Sequence, residues 1–226
     1  MAGRKSMGIE KLDELMEGGL KENSINVVVG EAGTGKSTLA VHYILAGIED
    51  GEKAIYVNLG ENKETFFQNM KRFGFKLSEH EEAGNLLFHE CNATVLKEFL
   101  ERGWLGIEEK MRDMEAKRLV LDSISAFAIL YDTEHKQRSA VQNLFEKLRT
   151  WNVTTVLISE DVSDNMRFGL PYLVDGVINL YYRKVGHERV RTIEVLKMRG
   201  TKHQTTETVY RIEDNGLTLY PGETIF

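Results

Sequence analysis

One nine-residue stretch limits this chain more than any other: Gly30-Glu31-Ala32-Gly33-Thr34-Gly35-Lys36-Ser37-Thr38. An apolar, β-branched run from Ile25 to Val29 leads into it, and residues at helical spacing, Leu39-Ala40-Val41 and Tyr43-Ile44-Leu45, lead out. The pattern G-x-x-x-x-G-K-[ST] has meaning only between a strand and a helix, and that is where it falls. Gly30, Gly33 and Gly35 allow successive backbone N–H groups to turn inward toward phosphate oxygens with no Cβ in the way. A helix starting near Lys36 adds the positive end of its dipole, equivalent to about half a charge. Lys36 is placed for the β- and γ-phosphates of a nucleoside triphosphate and Ser37 for Mg²⁺. The candidate nucleotide-binding set is therefore Gly30, Gly33, Thr34, Gly35, Lys36, Ser37 and Thr38.

The remaining strands read as an α/β protein. Ala54 to Leu59 and Val153 to Ser159 are nearly continuous apolar runs, as expected of parallel strands covered on both faces. Gly60-Glu61-Asn62 follows the first of these, at the strand end where such sheets form their ligand crevice. Glu61 is either a group facing the phosphates or a first-turn carboxylate at a helix N-terminus. Arg118-Leu119-Val120-Leu121-Asp122 is a short apolar strand ending in an acid, and downstream of a P-loop that makes Asp122 the candidate metal-side carboxylate beside Ser37. Residues 93–116 are helical in period and highly charged. Leu173-Val174, Val177 to Tyr182, Arg191 to Lys197, Thr206 to Ile212 and Leu217 to Leu219 read as strands, with hairpin turns at Val185-Gly186-His187 and Asp214-Asn215-Gly216. Their alternation, as in Thr192-Ile193-Glu194-Val195, predicts a mainly parallel core extended by antiparallel strands at one edge. The expected organisation is one domain over 1–226: a lead-in at 1–24, a P-loop core at 25–182 and antiparallel strands at 183–226.

A length of 226 residues suits one such domain. The net charge of −6 gives no long-range attraction to nucleic acid or an anionic membrane. No apolar run approaches a membrane span and Met1 to Gly8 has no hydrophobic signal core, so a cytoplasmic location is expected. Cys91 is the single cysteine, which excludes an internal disulfide and reads as a small buried side chain.

The chain resembles a single-domain member of the KaiC group within the RecA-type ATPases. The resemblance is carried by Gly8, Leu12-Asp13, Leu15 and Gly18-Gly19 before the first strand, by the P-loop with Asn69-Met70-Lys71-Arg72-Phe73-Gly74 and Asp122, and by Leu196-Lys197-Met198-Arg199-Gly200-Thr201-Lys202-His203. The last of these is similar to the Leu-Lys-Leu-Arg-Gly-Thr-x-His segment of that group. The resemblance implies a RecA-like fold and an ATPase using ATP and Mg²⁺, assembled as a ring, commonly a hexamer, with ATP at each subunit boundary. It further implies that Lys197 and Arg199 reach the γ-phosphate of a neighbour's ATP, with Thr201, His203 and Asp214 near its sugar and base. On local pattern alone, Lys197 and Arg199 also read as a solvated pair guarding an edge strand. Where the group carries two glutamates after the second strand, this chain has Gly60-Glu61, which leaves Glu61 to orient the attacking water and implies slow hydrolysis. Pro171-Tyr172 stands where the clock kinase has its phosphorylated Ser-Thr pair.

Two other roles are compatible with these residues. A RadA-like recombination accessory protein would bind DNA through the loops Tyr131 to Arg138 and Glu160 to Arg167, which are mixed or acidic and poor at tracking phosphates. A binding module that holds ATP without turnover would use occupancy to order a partner interface.

Overall fold

The computed structural model describes residues 3–92, 95, 98, 105–125, 130–160 and 169–223. The elements run β1 (Arg4–Lys5), α1 (Glu10–Glu14), β2 (Leu20–Lys21), β3 (Ile25–Gly30), α2 (Lys36–Glu49), β4 (Ala54–Asn58), α3 (Lys63–Lys71), α4 (Leu77–Glu82), β5 (Leu86–Glu90), α5 (Leu105–Met114), β6 (Arg118–Asp122), α6 (Glu134–Thr150), β7 (Thr154–Ser159), α7 (Leu170–Leu173), β8 (Gly176–Val185), β9 (Glu188–Met198), β10 (Thr208–Glu213) and β11 (Gly216–Tyr220).

β1 and β2 form a small antiparallel ladder of their own. The other strands make one nine-stranded sheet in the order β11-β10-β9-β8-β3-β7-β6-β4-β5. From β8 to β5 every pairing is parallel, and β9, β10 and β11 continue the sheet antiparallel beyond β8. The mixed architecture expected from the alternation is thus the one observed. β3, β4 and β7 are buried at every position, because helices cover both faces of the parallel part. Successive residues therefore serve different cores. Val28 joins Leu39, Tyr43, Tyr56 and Phe66 on the face covered by α2 and α3, while Val27 joins Leu119, Val141 and Leu144 on the face covered by α5 and α6.

Sheet order decides where the site lies. β7 runs between β3 and β6, so the strand that feeds the P-loop and the strand that ends in Asp122 lie two spacings apart, about 10 Å, and the start of α2 spans the gap over the end of β7. One expectation is corrected: Leu173-Val174 does not form a strand. Leu173 ends the short helix α7, which begins with Pro at its first turn, and the strand starts only at Gly176. β8 also runs straight through the expected junction at 182/183. Within 93–116, α5 is helical as expected; 93–94, 96–97 and 99–104 lie outside the described residues, as do 126–129 and the part of the candidate DNA loop from 161 to 167.

Candidate functional site

The P-loop closes over its own carbonyls. Gly30 has room for no side chain, since a Cβ there would stand 2.6 Å from the Leu180 carbonyl oxygen of β8. Gly35 caps α2 at φ 86°, a left-handed conformation that favours glycine. Thr34 Oγ1 donates to the Glu31 carbonyl at 2.8 Å, and Lys36 Nζ donates to the same carbonyl at 3.0 Å. Lys36 is buried, which lowers its pKa against the opposing pull of Glu160 and Asp122. An ammonium in that position gains most from a polyanion.

Ser37 and Asp122 are brought together as expected. Ser37 Oγ donates to Asp122 Oδ2 at 2.7 Å. A second donor, absent from the sequence reading, meets the same oxygen: Tyr56 Oη, also at 2.7 Å. Burial pushes the Asp122 carboxyl above its usual range, opposed by these two hydrogen bonds and by the Lys36 charge. No cluster of three or more His, Cys, Asp or Glu side chains able to hold a metal occurs among the described residues. One hydroxyl and one carboxylate beside a phosphate site is the donor set that Mg²⁺ uses, the rest of its shell being water and phosphate oxygens. The residues present fit that ion.

Glu61 follows β4 at the crevice, yet its carboxylate is engaged elsewhere, with Oε1 accepting from Asn69 Nδ2 of α3 at 2.9 Å. Asn58 Oδ1 ties down the backbone N–H groups of Gly60 and Glu61 at 2.9 and 3.0 Å. Asn62, not Glu61, caps α3, accepting from the N–H groups of Glu64 and Thr65. The carboxylate across the crevice from Lys36 is Glu160, at the end of β7, whose Oε1 accepts from Ser123 Oγ at 3.3 Å and whose charge reaches Lys36 and Asp122. It satisfies the same strand-end rule that singled out Glu61 and Asp122, and that rule would have found it.

The antiparallel extension grips the P-loop from outside. Tyr210 Oη donates to the Thr34 carbonyl at 2.5 Å, and Arg191 Nε donates to the Gly33 carbonyl at 3.1 Å with its guanidinium 4.2 Å from the Tyr182 ring. The hairpin turn carrying Asp214 lies at an open cleft with Phe73, Gly74, Glu213 and Asn215.

The remaining candidates gather at the opposite end of the sheet. Lys197 Nζ donates to the carbonyls of Pro171 and Val174 at 2.6 and 2.8 Å. Arg199 donates to the Tyr172 carbonyl at 2.9 Å and pairs with Asp175 at 3.4 Å. Burial, then the neighbouring Arg199, lowers the Lys197 pKa. Thr201 Oγ1 accepts from Arg4 at 2.8 Å, and His203 Nδ1 lies 3.3 Å from the Gln204 carbonyl. Within one chain, then, Asp214 stands apart from Lys197, Arg199, Thr201 and His203, and none of those four meets the P-loop.

The family model described as "ATPase: KaiC" matches residues 5–224. The chain belongs to the KaiC ATPase family. As a KaiC-type domain it is an ATP-binding domain, of a family whose members oligomerise. A UPF0273 protein from Pyrococcus furiosus is 30% identical over 100% of this chain and 97% of its own length. A UPF0273 protein from Thermotoga maritima is also 30% identical, over 99% and 98%. The circadian clock oscillator protein KaiC of Parasynechococcus marenigrum is 30% identical over 95% of this chain but only 44% of that protein. The crystal structure of a KaiC-like protein from Pyrococcus horikoshii superposes with a TM-score of 0.88 at 32% identity, covering 98% of this chain and 100% of that one. No helix among the described residues is long and apolar enough to cross a membrane.

Proposed function

We propose that this KaiC-family domain is a slow, Mg²⁺-dependent ATPase that works as a nucleotide-driven oligomeric switch. The observation that carries the reading is the convergence of Lys36, Ser37 and Asp122 at the mouth of one strand-loop-helix unit. On binding ATP, Lys36 exchanges the Glu31 carbonyl for phosphate oxygens, and the amides of Gly33, Thr34 and Gly35 cradle the same group. Ser37 and Asp122 would hold the metal, which would supply charge neutralisation to the bound phosphates. Thr38 completes the first turn of α2. Water is oriented by a strand-end carboxylate, Glu61 once released from Asn69, or Glu160. Lys197 and Arg199 act on a neighbour's nucleotide, in a homohexameric ring. Among the described residues their side chains meet backbone carbonyls and Asp175 at the far end of the sheet, which supports action across an interface. The exposed Tyr172 and Leu196 beside them supply apolar area for it.

A second reading, an ATP-gated binding module without turnover, is favoured by Gly60 and by the engagement of Glu61 with Asn69. Phosphate release from Mg²⁺-ATP separates the two. Under the first reading Lys36→Ala lowers release at least about 100-fold, and Glu61→Gln or Glu160→Gln, whichever group orients water, lowers it by about 10²–10⁴. Release unchanged in Lys36→Ala overturns the ATPase reading; ATP bound with no release supports the binding module.

A further inference from the structure

Tyr56 is 1% exposed in the middle of β4, a strand otherwise occupied on that face by Ala54 and Asn58. Its ring is held between Phe88, stacked at 5.3 Å, and Phe66 at 5.1 Å, and these two pack on each other at 5.1 Å. An aromatic cluster of this kind leaves the ring little freedom, and the phenol, buried, needs an acceptor. The acceptor it finds is a side chain of the adjacent strand, where β4 and β6 run in parallel with Asn58 opposite Asp122. Tyr56 and Ser37 together saturate Oδ2 of Asp122, while among the described residues nothing donates to Oδ1.

We propose that Tyr56 is a positioning residue for the metal-side acid: its phenol, together with the Ser37 hydroxyl, fixes the carboxylate of Asp122 so that one oxygen is left for the cation and its water. The proposal rests on the reading of Ser37 and Asp122 as the Mg²⁺ pair. Outer partners of ligating carboxylates set their orientation, and losing one typically costs 10–100-fold in metal affinity. The phenol is thus a determinant of how much Mg²⁺ the site needs.

The test is binding of a fluorescent ATP analogue to the full chain while Mg²⁺ is titrated. Tyr56→Phe keeps the ring and removes the donor; it is expected to raise the Mg²⁺ half-saturation about 10–100-fold while Mg²⁺-free nucleotide affinity stays within about twofold of the wild type. Phe66→Leu loosens the same cluster without touching the phenol, so it should lower the melting temperature and leave the Mg²⁺ half-saturation in place. Tyr56→Met, a second side chain with no donor, repeats the measurement should the Phe variant misfold. An unchanged Mg²⁺ dependence in Asp122→Asn overturns the metal-pair reading and the proposal with it. A shift in Asp122→Asn with none in Tyr56→Phe overturns the positioning role alone. An equal shift in Phe66→Leu assigns the effect to packing and also overturns it.

Discussion

His42 lies on α2, half-buried against Phe75 with ring centroids 5.0 Å apart, and its Nε2 accepts the backbone N–H of Leu217 at 3.0 Å. Only the neutral imidazole can accept that bond, and burial lowers the pKa from 6.5 to about 4. A group whose folded pKa is depressed contributes stability above its unfolded pKa and loses it as pH falls toward the folded one. Stability is therefore expected to fall between pH 6.5 and about 4, by at most about 3 kcal/mol from this side chain. Thermal melts of His42→Leu across that window should show a flatter acid slope from a lower starting stability; an unchanged slope would remove His42 from the account. At this scale the sequence was legible wherever a motif names its residues. Ser37 and Asp122 meet as the motif implied, within reach of the Lys36 charge. Glu61 follows the second parallel strand at the strand end where the sequence put it, but the direction of its carboxylate depends on Asn69 two helical turns away, which no local pattern reveals.

α2 shows how an element is shaped by what crosses it. Arg118 enters from β6 fully buried, donating to Glu52 at 2.7 Å and to the carbonyls of Ser6 and Tyr43, with its guanidinium over the Tyr43 ring at 4.7 Å. Gly47 gives it passage, because a Cβ there would run into the guanidinium. Glycine costs a helix interior about 1 kcal/mol relative to alanine, so Gly47→Ala ought to stabilise by that amount if the helix were alone. Here the opposite sign is expected, a loss of about 1–3 kcal/mol by overpacking. Glu52→Gln, which leaves Arg118 buried with its main charge partner removed, is expected to cost about 3 kcal/mol. Denaturant unfolding of both variants checks the signs. Elements themselves were largely readable, since strands buried on both faces announce themselves as apolar runs and hairpins by their glycine turns. α7 was not, because four residues carry no helical period and Leu173-Val174 alone looks extended.

Over the whole molecule the nine-stranded order determines which strand ends meet, and order is a tertiary fact. Tyr56, Arg191 and Tyr210 escaped the sequence for that reason: each acts through a neighbour contributed by a strand or loop distant in the chain. The same order puts the P-loop at one end of the sheet and Lys197 and Arg199 at the other, so in the proposed ring a complete site draws on two chains. Two defective proteins should then repair each other. Lys36→Ala and the double variant Lys197→Ala/Arg199→Ala, each inactive alone, are expected to regain part of the phosphate release when mixed and reassembled. No recovery in mixed rings verified by mass would confine the chemistry to one chain.

β9 is the strand common to both ends. Arg191 touches the chain's own P-loop near its start, and Lys197 lies six residues further on, about 20 Å along an extended strand. β9 is paired with β8 along its whole length and with β10 at Arg191 to Ile193, so under the proposed assembly one hydrogen-bonded strand links the two ends. Each subunit's phosphate loop would then be joined, through a single strand of its own, to the cations it offers its neighbour's nucleotide.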